Sequence, residues 1–232
     1  MTAATSFAKI PNFDARTVPI VGTDAHLPAV PARQLTAQLL RQRWTHPPQW
    51  QPEISFEHRF TERAPAQAAV LVGLVQRNEL MVLLTERTAH MKNHSGQVAF
   101  AGGKSDPEDL DAAATAVRET HEEVGVLPSQ ISVLGSLPTY TTGTAFVITP
   151  VVALIEPNYR LAPSAGEVAR VFEVPLAFLM NPAHHNRHAV EWEGIRREWF
   201  SMPYTDAGGQ THFIWGATAG MIRNFYRLLA AK

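Results

Sequence analysis

The sequence predicts an α/β fold, a mixed β-sheet covered by helices, on three observations. Strand-like apolar runs outnumber helical ones, the helical segments are spread along the chain, and no internal repeat or low-complexity tract divides it. That distribution argues against a helical bundle and against a pure β-sandwich.

The elements follow in order. Residues 1–33 are irregular, with Pro11, Pro19, Pro28 and Pro31. A short amphipathic helix comes next, with Leu35, Leu39 and Leu40 on one face up to Trp44. THPPQWQPE (45–53) breaks it, and the alternation of Ile54, Phe56, His58 and Phe60 reads as a half-buried strand. Residues 1–50 therefore read as an arm that packs on the core or on a partner, such as a second copy in a homodimer.

From about residue 66 the texture changes. AAVLVGLVQ (68–76) and LMVLLTER (80–87) are strands joined by a tight turn over 77–79, and QVAF (97–100) is a short strand running into Gly102-Gly103. A helix spans Asp111 to Val124, with Asp111 at its N-cap and Gly125 as the residue that stops it. ISVLGSLPTY (131–140) and FVITPVVALIE (146–156) are strand-like, and EVARVFEVPLAFLM (167–180) is a strand followed by a short helix. EWEGIRREWFSMPY (191–204) reads as a hairpin and THFIW (211–215) as a last strand. The final helix, ATAGMIRNFYRLLAA (217–231), turns Met221, Phe225 and Leu228 or Leu229 inward.

Composition narrows the function. A length of 232 residues suits one domain with an appended arm. With 20 basic and 21 acidic side chains, the chain has no electrostatic footprint for nucleic acid or an anionic membrane. No apolar run approaches the ~20 residues of a membrane-spanning helix. MTAATSFAKIPNFDARTV does not read as a secretory signal, nor Leu-Ala-Ala-Lys as a peroxisomal one, so a cytoplasmic protein is expected. With no cysteine, any metal must be held by oxygen or imidazole ligands.

The stretch GGKSDPEDLDAAATAVRETHEEVGV (102–126) carries the chemistry. On the helix, Ala113, Val117 and Val124 form one apolar stripe, while Glu119, Glu122 and Glu123 lie on nearly the opposite side, in the last turns. There the macrodipole disfavours negative charge, and only Arg118 stands one turn from Glu122 to relieve it. A solvated acidic face explains the polarity but not the crowding at the wrong helix end. A hard divalent cation explains both, because carboxylates at i, i+3 and i+4 converge on Mg²⁺ or Mn²⁺. Gly102-Gly103 lets the backbone come close, and a glycine carbonyl could add a further oxygen.

Taken whole, this stretch resembles the Nudix box of the Nudix hydrolases: Gly103, a loop, Arg118-Glu119, Glu122-Glu123, Gly125 and Val126. Two positions depart. The loop is one residue longer, so that Asp109 and Leu110 flank the place of a glutamate that pairs with the arginine, a role Asp109 could fill for Arg118. Thr120 stands where an aliphatic residue or alanine is usual. The resemblance implies a Nudix fold, an α/β/α sandwich with a mixed sheet over 51–232, after an N-terminal arm (1–50) with one short helix.

A second pattern precedes the box. LLTERTAHMKNHSGQVAFAGGK (83–104) resembles the signature of the coenzyme A pyrophosphatase branch at Thr85, Arg87, Gly96, Phe100, Gly102 and Gly103. It departs from it at Thr88, Lys92 and Ala101. LPTYTTGTAFVITPVV (137–152) and IWGATAGMI (214–222) also resemble that branch. The resemblance implies hydrolysis of coenzyme A or its derivatives to 3′,5′-ADP and 4′-phosphopantetheine. Glu119 and Glu123 would be the main metal ligands, with Glu122 and the Gly103 carbonyl adding to the shell and Arg118 orienting the acids. Arg87 and Lys92 suit a diphosphate; His94 either bonds a phosphate or caps the loop. Gly96, Phe100, Thr142 and Phe146 would line the substrate site, Phe146 alternatively packing in the core. Glu167 is the candidate general base, or else an acid that fixes a turn.

Other readings fare less well. GGKS is no phosphate-binding P-loop, because that motif needs glycine where Val98 stands. No Gly-x-Ser-x-Gly elbow supports a serine hydrolase. HHNRH (184–188) has metal-like spacing but follows Asn181-Pro182 and reads as solvated loop histidines. Two rivals stay open: a Nudix pyrophosphatase for ADP-ribose or NADH, and a non-catalytic nucleotide-binding Nudix domain.

Overall fold

The computed structural model describes residue 10 and residues 13–88, 96–192 and 194–232. Its elements, in chain order, are β1 (Ile20–Thr23), α1 (Ala37–Thr45), β2 (Ala66–Gln76), β3 (Leu80–Arg87), β4 (Val98–Ala99), β5 (Gly102–Lys104) and α2 (Ala112–Val124). Then come β6 (Ile131–Ser136), β7 (Tyr140–Thr141), β8 (Phe146–Ile155), β9 (Val168–Pro175), α3 (Leu176–Leu179), β10 (Asn186–Trp192), β11 (Ile195–Thr205), β12 (Thr211–Trp215) and α4 (Gly216–Ala230).

An eight-stranded mixed sheet is built around β2. Along one edge β2 runs parallel to β8, from Ala66 opposite Phe146 to Val75 opposite Ile155. Along its other edge it pairs antiparallel with β5 near Ala69 and with β3 near Val75. The strand is apolar on both sides, as a strand buried on two faces must be. Successive residues point to opposite faces. Ala69, Leu71 and Val75 join Ala116 and Val124 of α2 in one cluster; Val72 and Leu74 join Leu40 of α1 and Ile222 and Phe225 of α4 in the other. The result is the expected α/β/α sandwich, with α2 the one helix on its side among the described residues.

A second sheet, in the order β1–β10–β11–β12, lies against α4. The sequence shows β11, β12 and only the end of β10, while β1 comes from the arm and pairs with β10 from Ile20 opposite His188 to Thr23 opposite Asn186. Val30, Leu35 and Leu40 of the arm also reach the main core, while Leu39 stays exposed. The arm thus packs on the core of its own chain.

Buried charge ties it there. Arg223 of α4, 1% exposed, donates from Nε to Glu53 (2.7 Å), reaches Asp24 at 3.0 Å, and donates from Nη1 to Nδ1 of His185 (3.0 Å). Arg187 grips Asp24 with two bonds of 2.8 Å and also reaches Glu53. Burial works to raise the pKa of Asp24, but the two arginines outweigh it and hold the carboxyl below its usual range. His185, whose Nε2 donates to the Leu179 carbonyl, is pushed down to about 4 by burial and stays neutral.

Three expectations need correction. Residues 54–60 form no strand: Phe56 makes an isolated bridge to Thr141 and is largely exposed. Their alternation lacks a continuous backbone partner. Residues 186–188, read as loop, belong to β10. The histidines of HHNRH are not all solvated: His185 and His188 are buried, and His188 bonds the Val18 carbonyl and Ser201. Their partners lie far away in sequence, which the local loop pattern cannot reveal.

Replacing Arg223 by methionine would strand the buried acids. We expect Arg223→Met to lower stability by about 3 kcal/mol, seen as a reduced urea midpoint at unchanged m. An unchanged midpoint would mean that this network contributes no net stability.

Candidate active site

The helix α2 is built as its sequence reads. The Asp111 side chain accepts the Ala114 N–H at 2.8 Å, and Gly125 closes the other end at φ 82°, in the left-handed region. The last carbonyls are covered by a later loop: the N–H groups of Ala162 and Ser164 donate to Val124 and Glu123 at 2.9 Å. The residue packed on Gly125 is Ala162, where a Cβ on the glycine would fall 2.6 Å from the alanine's own.

The three glutamates do not share one environment. The Glu122 side chain is 56% exposed, that of Glu119 17%, and that of Glu123 only 5%. Glu123 turns toward β5 and accepts the Gly102 N–H at 3.2 Å, with Arg87 Nη1 3.8 Å from its other oxygen. Burial pushes its pKa up to about 7, against these two groups, and the negative charges of Glu167 and Glu119 add to the rise. Glu119 lies over Gly103, so close that a Cβ there would stand 2.5 Å from its carboxylate. Burial raises its pKa too, with Glu122 and Glu167 contributing.

Arg118 holds the cluster in place. It donates from Nη1 to Glu119 and Glu122, both at 3.0 Å, and forks onto both oxygens of Asp109 at 3.0 and 2.9 Å. The Asp109 carboxyl is held far below the usual range by Arg118, the Asp106 N–H and the Thr115 hydroxyl. The pairing of Asp109 with Arg118 is the one the sequence suggested.

Glu167 comes from the loop before β9. Its charge bears on both Glu119 and Glu123, and its backbone is tied to the end of β3, where Thr88 N–H donates to the Glu167 carbonyl at 3.0 Å. Arg87 ends β3 beside Glu123, and its Nε is buried without a hydrogen-bond partner among the described residues. Gly96, at φ 67°, closes the β3–β4 connection by donating to the Arg87 carbonyl.

Other expected residues have partners of their own. Phe100 is 2% exposed in the main core, so its ring has no free face for a substrate. The Thr142 hydroxyl serves its own turn, accepting the Phe146 N–H at 3.0 Å and bonding Thr144. Phe146 is half-buried beneath the Arg63 guanidinium. Lys92 and His94 lie outside the described residues. The sequence missed Thr88 and the Gly102 N–H as site groups; the two glycines were the only signal for the latter.

The donor set suits a hard divalent cation. Among the described residues no three acids or histidines form a ready-made metal cage, since Glu122 is drawn outward to Arg118. Yet Glu119 and Glu123 are carboxylates withdrawn from water, and burial keeps their pKa values raised even with Arg118 and Arg87 beside them, while Gly103 leaves the backbone beside Glu119 uncovered. Oxygen ligands, incomplete compensation and an open backbone are what Mg²⁺ or Mn²⁺ requires.

The two glycines should therefore fail differently. Gly102→Ala drives a Cβ into the Ala69 carbonyl and to 2.6 Å from Val70 Cα, so it should cost about 1–3 kcal/mol of stability. Gly103→Ala meets only the movable end of Glu119. It should leave the melting temperature nearly unchanged and weaken Mn²⁺ binding about 10- to 100-fold. Thermal melts and Mn²⁺ titrations of the pair check this, and the reverse pattern would contradict the placement.

Several known proteins are similar to this chain. The family model for the NUDIX domain matches residues 64–202. The chain is 42% identical to an uncharacterized Nudix hydrolase, NudL, of Enterobacter sp. (strain 638), over 72% of this chain and 84% of that one. It is 39% identical, with the same coverage, to the NudL of Escherichia coli (strain K12). A crystal structure of a MutT/nudix family protein from Enterococcus faecalis is similar at 18% identity and a TM-score of 0.43, over 85% of this chain and 71% of that one. The family uses divalent metals. The chain belongs to the Nudix hydrolases and is a Nudix pyrophosphatase.

Proposed function

We propose that this chain hydrolyses the diphosphate of coenzyme A or its derivatives to 3′,5′-ADP and 4′-phosphopantetheine, with Mg²⁺ or Mn²⁺, in the cytoplasm. The observation that carries the reading is Arg87. It stands in the stretch 83–104 that resembles the coenzyme A branch, 3.8 Å from Glu123, with a buried donor lacking any partner among the described residues. A diphosphate oxygen is the partner such a guanidinium would take.

In this reading Glu119 and Glu123 hold the metal, with the Gly103 carbonyl and Glu122 completing its shell. The bound cation supplies positive charge to the diphosphate and lowers the pKa of an attacking water. Arg118, itself fixed by Asp109, keeps Glu119 and Glu122 oriented. Glu167 takes the proton from the attacking water, and Arg87 neutralises the diphosphate. The same resemblance implies that Lys92 and His94 serve the phosphates and that Thr142 and Phe146 line the substrate. The departures from the branch pattern at Thr88, Lys92 and Ala101 weigh against coenzyme A, and the second reading is a Nudix pyrophosphatase for ADP-ribose or NADH.

Incubation with coenzyme A, ADP-ribose and NADH in Mg²⁺ or Mn²⁺, followed by mass spectrometry, tests this. Coenzyme A should yield 3′,5′-ADP and 4′-phosphopantetheine, and Glu123→Gln should lower kcat by roughly 10²-fold or more. Intact coenzyme A alongside a cleaved ADP-ribose or NADH would overturn the substrate assignment and keep the site. No cleavage of any would favour a nucleotide-binding domain.

A further inference from the structure

The segment that carries Glu167 has little of its own to hold it. Ala165, Gly166 and Glu167 are exposed, and Gly166 adds backbone freedom. Two anchors compensate. At the front, Ser164 N–H donates to the carbonyl of Glu123, and the N–H groups of Glu167 and Val168 both return to the Ser164 carbonyl. At the back stands Thr88, 8% exposed, whose N–H donates to the Glu167 carbonyl and whose hydroxyl donates to the Gly166 carbonyl, both at 3.0 Å. Thr88 directly follows Arg87. Just there the pairing of β3 with β9 slips by one residue, with Glu86 opposite Arg170 but Arg87 opposite Val168. A bulge of this kind re-aims side chains. Its place beside Glu167 leaves the two Thr88 bonds to fix where that residue starts.

We propose that Thr88 is a positioning residue: its hydroxyl bond to Gly166 fixes Glu167 relative to Arg87 and Glu123. This rests on the reading of Glu167 as general base. Serine at position 88 preserves the bond, whereas valine keeps the shape and removes the donor. A general base works only within hydrogen-bond reach of its proton, and a shift of about 1 Å costs up to 10²-fold in rate. Because Glu167 is not assigned to hold the substrate, the loss falls on kcat and spares KM.

The test is steady-state kinetics of Thr88→Val, Thr88→Ser, Glu167→Gln and the Thr88→Val/Glu167→Gln double variant. The substrate is whichever of coenzyme A, ADP-ribose and NADH the wild-type protein cleaves, and thermal melts confirm that each variant is folded at the assay temperature. Thr88→Val should lose roughly 10- to 100-fold in kcat at nearly unchanged KM, with Thr88→Ser close to wild type. On the Glu167→Gln background the valine should cost nothing more, since the group it positions is gone. If Glu167→Gln is impaired but Thr88→Val is not, the positioning role falls and the general base stands. If Glu167→Gln keeps wild-type kcat, the general-base reading falls and this proposal with it. Multiplicative losses in the double variant would show that Thr88 acts through some other group, and would also overturn it.

Discussion

Two carboxylates withdrawn from water at the negative end of a helix are the constraint around which this structure is arranged. Glu119 and Glu123 sit in the last turns of α2, and burial raises both of their pKa values. Several neighbouring features limit the cost. The loop between β8 and β9 covers the carbonyls of Glu123 and Val124 with the N–H groups of Ser164 and Ala162, which weakens the negative pole the acids face. Gly102 offers an N–H to Glu123, and Gly103 clears the space that the Glu119 carboxylate occupies. The relief is partial, which suits a site for a divalent cation.

The second charged cluster makes the contrast. Asp24 and Glu53 face Arg187 and Arg223, and His185 is neutral, so positive and negative charge match. The carboxyls there are held below their usual range, the opposite of Glu119 and Glu123. A balanced buried network fastens the arm to α4; the unbalanced one is where we propose the metal binds. Burial of charge alone separates nothing, whereas the direction of the shift does.

Much of the site was legible in the sequence because its signals are local. The caps Asp111 and Gly125 bound α2 within one residue, the spacing of its acids gave the metal hypothesis, and Asp109 was within reach of Arg118. Strands β2 and β3 followed from apolar runs with a turn between them. What stayed hidden depends on distant partners. Helical periodicity grouped Glu122 with Glu123, but only the Gly102 N–H and Arg87 decide that Glu123 turns inward while Glu122 meets solvent. Phe100 belongs to a functional signature and yet fills the core, since a motif records what the fold needs as well as what the substrate needs. The hydroxyl bond of Thr88 to Gly166 spans 78 positions, with nothing at either end to announce it.

The central claim, that these acids crowd together for a cation, is tested most directly by calorimetric titration with Mn²⁺ in buffers of different ionisation enthalpy. Burial pushes the Glu123 pKa up to about 7, so at pH 6 the carboxyl is expected to be mostly protonated, and that proton must leave when a metal binds. The account predicts saturable binding that releases about one proton or more per Mn²⁺ at pH 6 and far less at pH 8, with affinity rising between the two. Glu123→Gln should abolish that proton release and most of the affinity. Binding that leaves the proton count unchanged across this range, or that survives Glu123→Gln intact, would contradict it.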